Sequence, residues 1–233
     1  MSELTTDIPA ADSGESNSSL SEVVYVQLRT ALMRAEFAPH QRLKVRELAQ
    51  QMGTSETPVR EALFQLAHER AIEIKPRYYI RVRRLTKREY FEIRDIRMQL
   101  EPLAAERALP RIDDAMIDQL AEIHEELIAA EAAGDWQTAL HKNFDFHFGL
   151  YTCSGMATLI EVLESLWIRI GPLLRELYPD ACPSYEDKHQ HVYVLNALRA
   201  RDAYALREAI RMDLIEGGRN LVRRLTEIDA RAD

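Results

Sequence analysis

The sequence is poor in cysteine. Among 233 residues only Cys153 and Cys182 are cysteines, and they form no C-x-x-C pair. Neither a disulfide framework nor a cysteine-based zinc site is expected, and a reducing, cytoplasmic setting fits best. No stretch approaches the eighteen or so uninterrupted apolar residues of a membrane helix, so no membrane partner is expected. The N-terminus lacks a basic start followed by an apolar run, so no secretory signal is read there. A nucleophile elbow, a phosphate loop and an H-E-x-x-H motif are also missing. Hydrolases, nucleotide-driven enzymes and metalloproteases lose their usual signatures, and a non-enzyme is expected. There is no internal repeat.

What is present is an uneven distribution of charge. The chain carries 30 Lys and Arg against 38 Asp and Glu, a net charge of −8. Between Ser19 and Leu85, however, twelve basic residues face seven acidic ones, a local charge of +5. The remainder therefore carries −13. A basic segment can meet phosphates while an acidic one stays soluble and avoids them. The plain alternative is uneven surface charge without a nucleic-acid partner.

Residues 1–18 are rich in Ser, Asp, Glu and Thr and have no Lys or Arg. They cannot bury enough apolar surface to offset their ordering entropy and read as a disordered tail. Ser19 and Glu22 have capping-box spacing ahead of a stripe of Val23, Val24, Val26, Leu28, Leu32 and Met33. A second short helix spans roughly Val45 to Met52 and closes at Gly53, which tolerates a left-handed cap. Thr57 and Pro58 then suit an N-cap and a first helical position, opening a third helix that runs to about Glu69. Its inner face is Val59, Ala62, Leu63 and Leu66.

Ile72 to Lys75 and Ile80 to Val82 alternate like strands, with Pro76 to Tyr79 as the turn. Two helices joined by a short turn and followed by a hairpin make a winged helix-turn-helix over 19–85. From the capping box at Thr86 and Glu89 onward, residues 86–228 read as an all-helical bundle of six or seven helices. Breaks are expected at Pro110, Gly134, Ser154-Gly155, Pro179 to Pro183 and around Arg201-Asp202. Pro102 should kink or interrupt the first of these helices. The fold class is mainly α.

The run Arg46-Glu47-Leu48-Ala49, then Gly53, Ser55 and Thr57-Pro58-Val59-Arg60-Glu61-Ala62-Leu63, resembles the DNA-binding signature of GntR-family transcriptional regulators. Arg97, Leu100 and Glu101, then Phe146-His147, then His191 and Asp202, are similar to that family's FCD effector domain. The resemblance implies a homodimeric repressor on a palindromic double-stranded DNA operator, released when a small organic acid binds. In the family, positions matching Arg46 and Arg60 contact DNA, and Ser55 and Thr57 are placed to bond phosphates or bases. Either arginine could instead pair with a neighbouring glutamate. Glu56 stands where the family usually has a basic residue, and Tyr79 where its wing usually has a glycine. Both alter what these positions, with Arg77 beside them, can offer DNA.

In the family's effector domain four inward positions on three helices hold a divalent metal, usually an Asp and three His. Carried over, they are Asn143, His147, His191 and Asp213. Two His with two oxygen donors suit zinc, nickel or manganese. The alternative is a pair of buried histidines bonded to Asn and Asp with no metal. Asp145 and His189 lie two residues from His147 and His191 and are expected to face away, while His124 and His141 are expected at the surface. Arg97 matches the arginine that could clamp an effector carboxylate, unless it pairs with Glu101 four residues on. Tyr151, Arg169 and Arg175 are further candidates for the cavity wall, and Trp136 and Trp167 are expected in the core. Two other readings stay open: a C-terminal domain that only dimerises, and a metal-dependent enzyme.

Overall fold

The computed structural model describes residues 13–185 and 188–230. The first helix, α1, is Ser13–Met33. It begins six residues before Ser19, so 13–18 are helical and Ser19 is not a cap. Extending an existing helix gains one hydrogen bond per residue fixed, which outweighs the weak propensity of this polar stretch. The rest of the expected tail, 1–12, lies outside the described residues. Val24, Leu28 and Leu32 recur every four residues and are buried, whereas Val23 and Val26 fall off that stripe and stay half exposed.

The helix α2 (Val45–Gln51) leads through Gly53, at φ +63°, into α3 (Glu56–His68). The N-cap position of α3 is Ser55 rather than Thr57. Pro58 is therefore third in the helix, where its missing N–H still costs nothing because the first four have no partner in the helix. Val59, Ala62, Leu63 and Leu66 are fully buried against α1. Strands β1 (Ile72–Lys75) and β2 (Tyr79–Val82) pair antiparallel, with Ile74 opposite Ile80. The wing turn is Pro76 to Tyr78, and its left-handed residue is Arg77 (φ +66°), not Tyr79. Tyr79 instead pairs with Lys75 inside the ladder. A third segment was not expected: Arg42 bridges Arg81, and Leu43 N donates to Ile80 O at 2.9 Å.

The capping box of Thr86 and Glu89 forms and opens α4 (Lys87–Ala108). This helix runs uninterrupted through Pro102, whose ring is buried. Next come α5 (Asp114–Ala133), α6 (Trp136–Thr152), α7 (Ala157–Leu174), α8 (Gln190–Arg199), α9 (Ala203–Glu216) and α10 (Arg219–Asp229). Gly134 (φ +72°) makes the tight turn from α5 to α6. The separation of α9 from α10 at Gly217-Gly218 was not anticipated. Trp167, Tyr151, Phe146, Leu120 and Leu163 form the centre of the bundle.

The two halves meet where α1 lies against α7. Gly171 on α7 has no side chain to keep the helices apart. A Cβ there would sit 2.2 Å from the Leu32 carbonyl oxygen and 2.8 Å from that of Met33. Around this contact Arg29 Nη1 reaches Glu164 at 2.5 Å, Arg34 Nη2 reaches Asp145 at 2.6 Å, and Arg175 Nη1 donates to Ala35 O at 2.9 Å. The N-terminal half is thus seated on the bundle by backbone contact. Gly171→Ala is expected to cost about 1–3 kcal/mol by overpacking. Thermal unfolding should show a lowered Tm, and an unchanged or raised Tm contradicts the close approach.

Candidate functional site

Two sites sit on this frame. At the first, the N-terminus of α3 is solvent-facing: Ser55, Glu56, Thr57 and Arg60 are all exposed, as is Arg46 on α2. Arg60 Nη2 donates to Glu56 Oε2 at 2.7 Å, one helical turn back. Both partners are about half exposed (55% and 47%), so the pair is weak and can open. Among the described residues no ion pair holds Arg46. At the wing, Arg77 and Tyr78 project at the tip, Lys75 lies over the Tyr78 ring and Arg81 over the Tyr79 ring. Tyr79 is half-buried and braces the hairpin.

The second site is inside the bundle. His147 on α6, His191 on α8 and Asp213 on α9 are all buried. His147 Nε2 lies 3.2 Å from Asp213 Oδ2 and 3.4 Å from His191 Nε2, and His191 Nε2 lies 3.8 Å from Asp213 Oδ1. Asn143, one turn before His147, lines the same cavity. Three of the four expected metal positions, His147, His191 and Asp213, are thus brought onto one another from three helices, and the fourth, Asn143, lines the cavity beside them.

The hydrogen-bond chain behind His147 decides what its Nε2 offers. Glu101 is fully buried and accepts from Arg97 Nε at 2.7 Å, Trp167 Nε1 at 2.7 Å and Tyr151 Oη at 2.8 Å. Because the Tyr151 proton goes to Glu101, the phenol oxygen is left to accept from His147 Nδ1 at 3.1 Å. The Nδ1 proton then leaves Nε2 as a lone pair aimed at a carboxylate and a second imidazole. Such convergence calls for a cation, and the arrangement is that of a ligating histidine steadied through its other nitrogen. The donor set therefore fits a divalent ion.

The cavity is narrow, about 70 Å³, with room for roughly five water-sized groups. Its lining includes Arg97, Asn143, His147, Trp167, His189 and Asp213. Arg97 is on the wall but already paired with Glu101, so its net contribution there is muted. Tyr151 lies behind His147 rather than on the wall. Arg169 is not brought to this cavity, since its charged neighbours are Arg83, Glu89, Arg70 and Glu92. Nor is Arg175, which bonds Ala35 O and Gln137 Oε1 and lines a separate small pocket with Trp136. Asp145 faces away, as expected, toward Arg34. Trp167 is core, whereas Trp136, expected there too, is only half-buried and stacks on Tyr178 at 5.0 Å.

Two histidines depart from expectation. His124 is 8% exposed, not on the surface. The spacing Ile117, Leu120, His124, Leu127 puts it on the apolar stripe of α5, a signal that was legible. His189 does not face away from His191. It precedes α8 as its N-cap, with φ −55° and ψ 137°, so helical phase does not govern it. Its Nδ1 accepts from His191 N at 3.1 Å.

A model of the bacterial gntR regulatory family matches residues 20–82, and one of the FCD domain matches 92–215. The HTH-type transcriptional regulator McbR of Escherichia coli K12 is 34% identical over 194 residues, covering 82% of this chain and 88% of McbR. The chain belongs to the GntR family. It is a DNA-binding transcriptional regulator, and its family and relatives are regulators rather than enzymes. The solved structure of E. coli McbR superposes with a TM-score of 0.80 at 31% identity, covering 88% of this chain and 98% of that one. The E. coli repressor GlaR is 27% identical, covering 82% of this chain and 90% of GlaR. No helix among the described residues is long and apolar enough to cross a membrane.

Burial sets the protonation of the histidines. It lowers the pKa of His124, that of His189 to about 4, and that of His191 well below the usual 6.5. For His191 the neighbouring imidazoles add to the effect, and for His189 Asp213 opposes it. Below pH 6.5 the unfolded chain protonates these groups while the folded chain resists. Stability of the metal-free protein should therefore fall as pH drops from about 6.5 toward 4. Thermal melts across that window test this, and a Tm that rises on acidification contradicts it.

Proposed function

We propose that this chain is a cytoplasmic, homodimeric transcriptional repressor whose hold on a palindromic operator is weakened by a small carboxylate bound inside the helical domain. The observation that carries the reading is the nest of His147, His191 and Asp213, opening onto a cavity walled by Arg97. Asn143, His147, His191 and Asp213 would hold the divalent ion, with zinc favoured and nickel or manganese as alternatives. When bound, the ion supplies an open coordination position that attracts a carboxylate. The half-paired Arg97 guanidinium orients that carboxylate from the wall, with Trp167 excluding water beneath it.

At the DNA face Arg60, near the start of the recognition helix α3, and Arg46, on the supporting helix α2, read bases, with Ser55 and Thr57 positioning the recognition helix on phosphates. Arg77 and Tyr78 at the wing tip meet the backbone beside them, and Tyr79 acts through the hairpin. Ligand binding can shift operator affinity only by its differential affinity for the two arrangements of the dimer. The contact of α1 with α7 is the route by which the bundle biases the recognition helices.

Selection of bound sequences from a random DNA pool, followed by fluorescence anisotropy on the recovered duplex, tests this. A palindromic site is expected, with Arg46→Ala or Arg60→Ala weakening binding roughly 5- to 150-fold, as loss of a bidentate base contact implies. Glu56→Gln removes a like charge from phosphate and releases Arg60, and is expected to tighten binding about two- to fivefold. No preferred site, or arginine variants with wild-type affinity, overturns the DNA reading. For the sensor, adding Zn²⁺ with a panel of two- to four-carbon carboxylates should raise the operator Kd for at least one member. Uniform Kd values across the panel contradict a small-carboxylate effector.

A further inference from the structure

Beside the nest described above lies a second group of imidazoles. His124 on α5, His189 at the start of α8 and His191 in its first turn each offer a ring nitrogen, all within 4.8 Å of one another. Their ring centroids are 4.4 Å (His189–His191), 4.9 Å (His124–His189) and 5.4 Å (His124–His191) apart. His124 and His191 are more than nine-tenths buried, and the Nδ1 atom of each has no hydrogen-bond partner among the described residues. An orphaned ring nitrogen in the interior is costly, and two in one cluster point to something absent from the side-chain inventory.

We propose that His124, His189 and His191 form a second metal position, adjacent to the first and sharing His191 with it, that takes a nitrogen-preferring divalent ion. The inference rests on the reading of the first position only for the sharing of His191. Three imidazoles without a carboxylate suit nickel, copper or zinc, whereas the first position, with two oxygen donors, also accepts manganese. Reaching metal–nitrogen distances of about 2.0–2.1 Å requires each nitrogen to move inward by roughly 1 Å. His189 also lines the cavity, so the ion has an entry path, and Tyr185 Oη, 3.4 Å from His189 Nε2, is an easily displaced neighbour. Phe146, stacked on His191 at 3.8 Å with its plane 5° from parallel, holds the shared ring while the ion is on either side. Two ions held at once would need His191 to lose its ring proton and bridge them, and they would repel each other, so one ion at a time is expected near neutral pH.

The test is calorimetric titration of metal-stripped full-length protein with Ni²⁺ and separately with Mn²⁺. Variants are His124→Ala, His189→Ser, which keeps a good N-cap, His147→Ala and His191→Ala, each checked for fold by circular dichroism. The proposal expects His124→Ala and His189→Ser to weaken Ni²⁺ at least tenfold and leave Mn²⁺ unchanged, and His191→Ala to weaken both. Wild-type Ni²⁺ affinity in His189→Ser overturns it, even if His124→Ala misfolds. Equal losses of Ni²⁺ and Mn²⁺ in His189→Ser also overturn it, because they place both ions in one site. Failure of the first position reads differently: Mn²⁺ binding would then be absent from wild type or indifferent to His147→Ala.

Discussion

A buried carboxylate and two buried imidazoles turned toward one another must either share protons or hold a cation between them. The rest of the helical domain is organised around that constraint. His147, His191 and Asp213 come from three helices, so whatever sits among them fastens α6, α8 and α9 together. The orientation of His147 is fixed from behind by Tyr151, Tyr151 by Glu101, and Glu101 by Arg97 and Trp167. Each member of the chain satisfies the next, which is why a carboxylate can lie fully buried beside the hydrophobic centre.

This interior reaches the DNA-binding half through short steps. Trp167 and Gly171 share α7, one facing the Glu101 network and the other in backbone contact with the end of α1. On its other side α1 packs on α3, whose exposed N-terminus carries Arg60. Coupling of this kind is a proposal about two arrangements of packed helices, each biased by what is bound at the far end. Arg175 and Gln137 tie the end of α1 to α6 and α7, so a change of spacing in the bundle meets resistance at a defined place.

Much of the fold was legible because local signals agreed with it. The capping box at Thr86, the glycines at 53 and 134 and the four- and three-residue spacing of Val59, Leu63 and Leu66 name their own conformations. The four inward positions came from a resemblance, and the helical phase of Asn143 and His147 supports it. Other features were hidden for physical reasons. Ser13 to Ser18 have no apolar stripe, so nothing local marks them as helix. Arg169 lies on α7 and Arg175 just past its end, and where either points relative to the cavity depends on tertiary packing. His189 was misplaced because helical periodicity was applied to a residue that precedes the helix. His124 was misplaced although its stripe was visible, because histidine was taken as polar rather than as part of that stripe. Arg77 shows the same limit at the wing, where an ordinary residue takes the left-handed conformation that a glycine usually marks.

Metal content is the most direct check on the account. Protein purified without added metal or chelator would be measured by elemental analysis beside His147→Ala and His191→Ala. The account predicts about one divalent ion per chain in the wild type and its loss in His191→Ala, the one ligand common to both positions. A wild type that carries no metal and takes up none on titration would contradict it, leaving the buried nest to be balanced by protons alone.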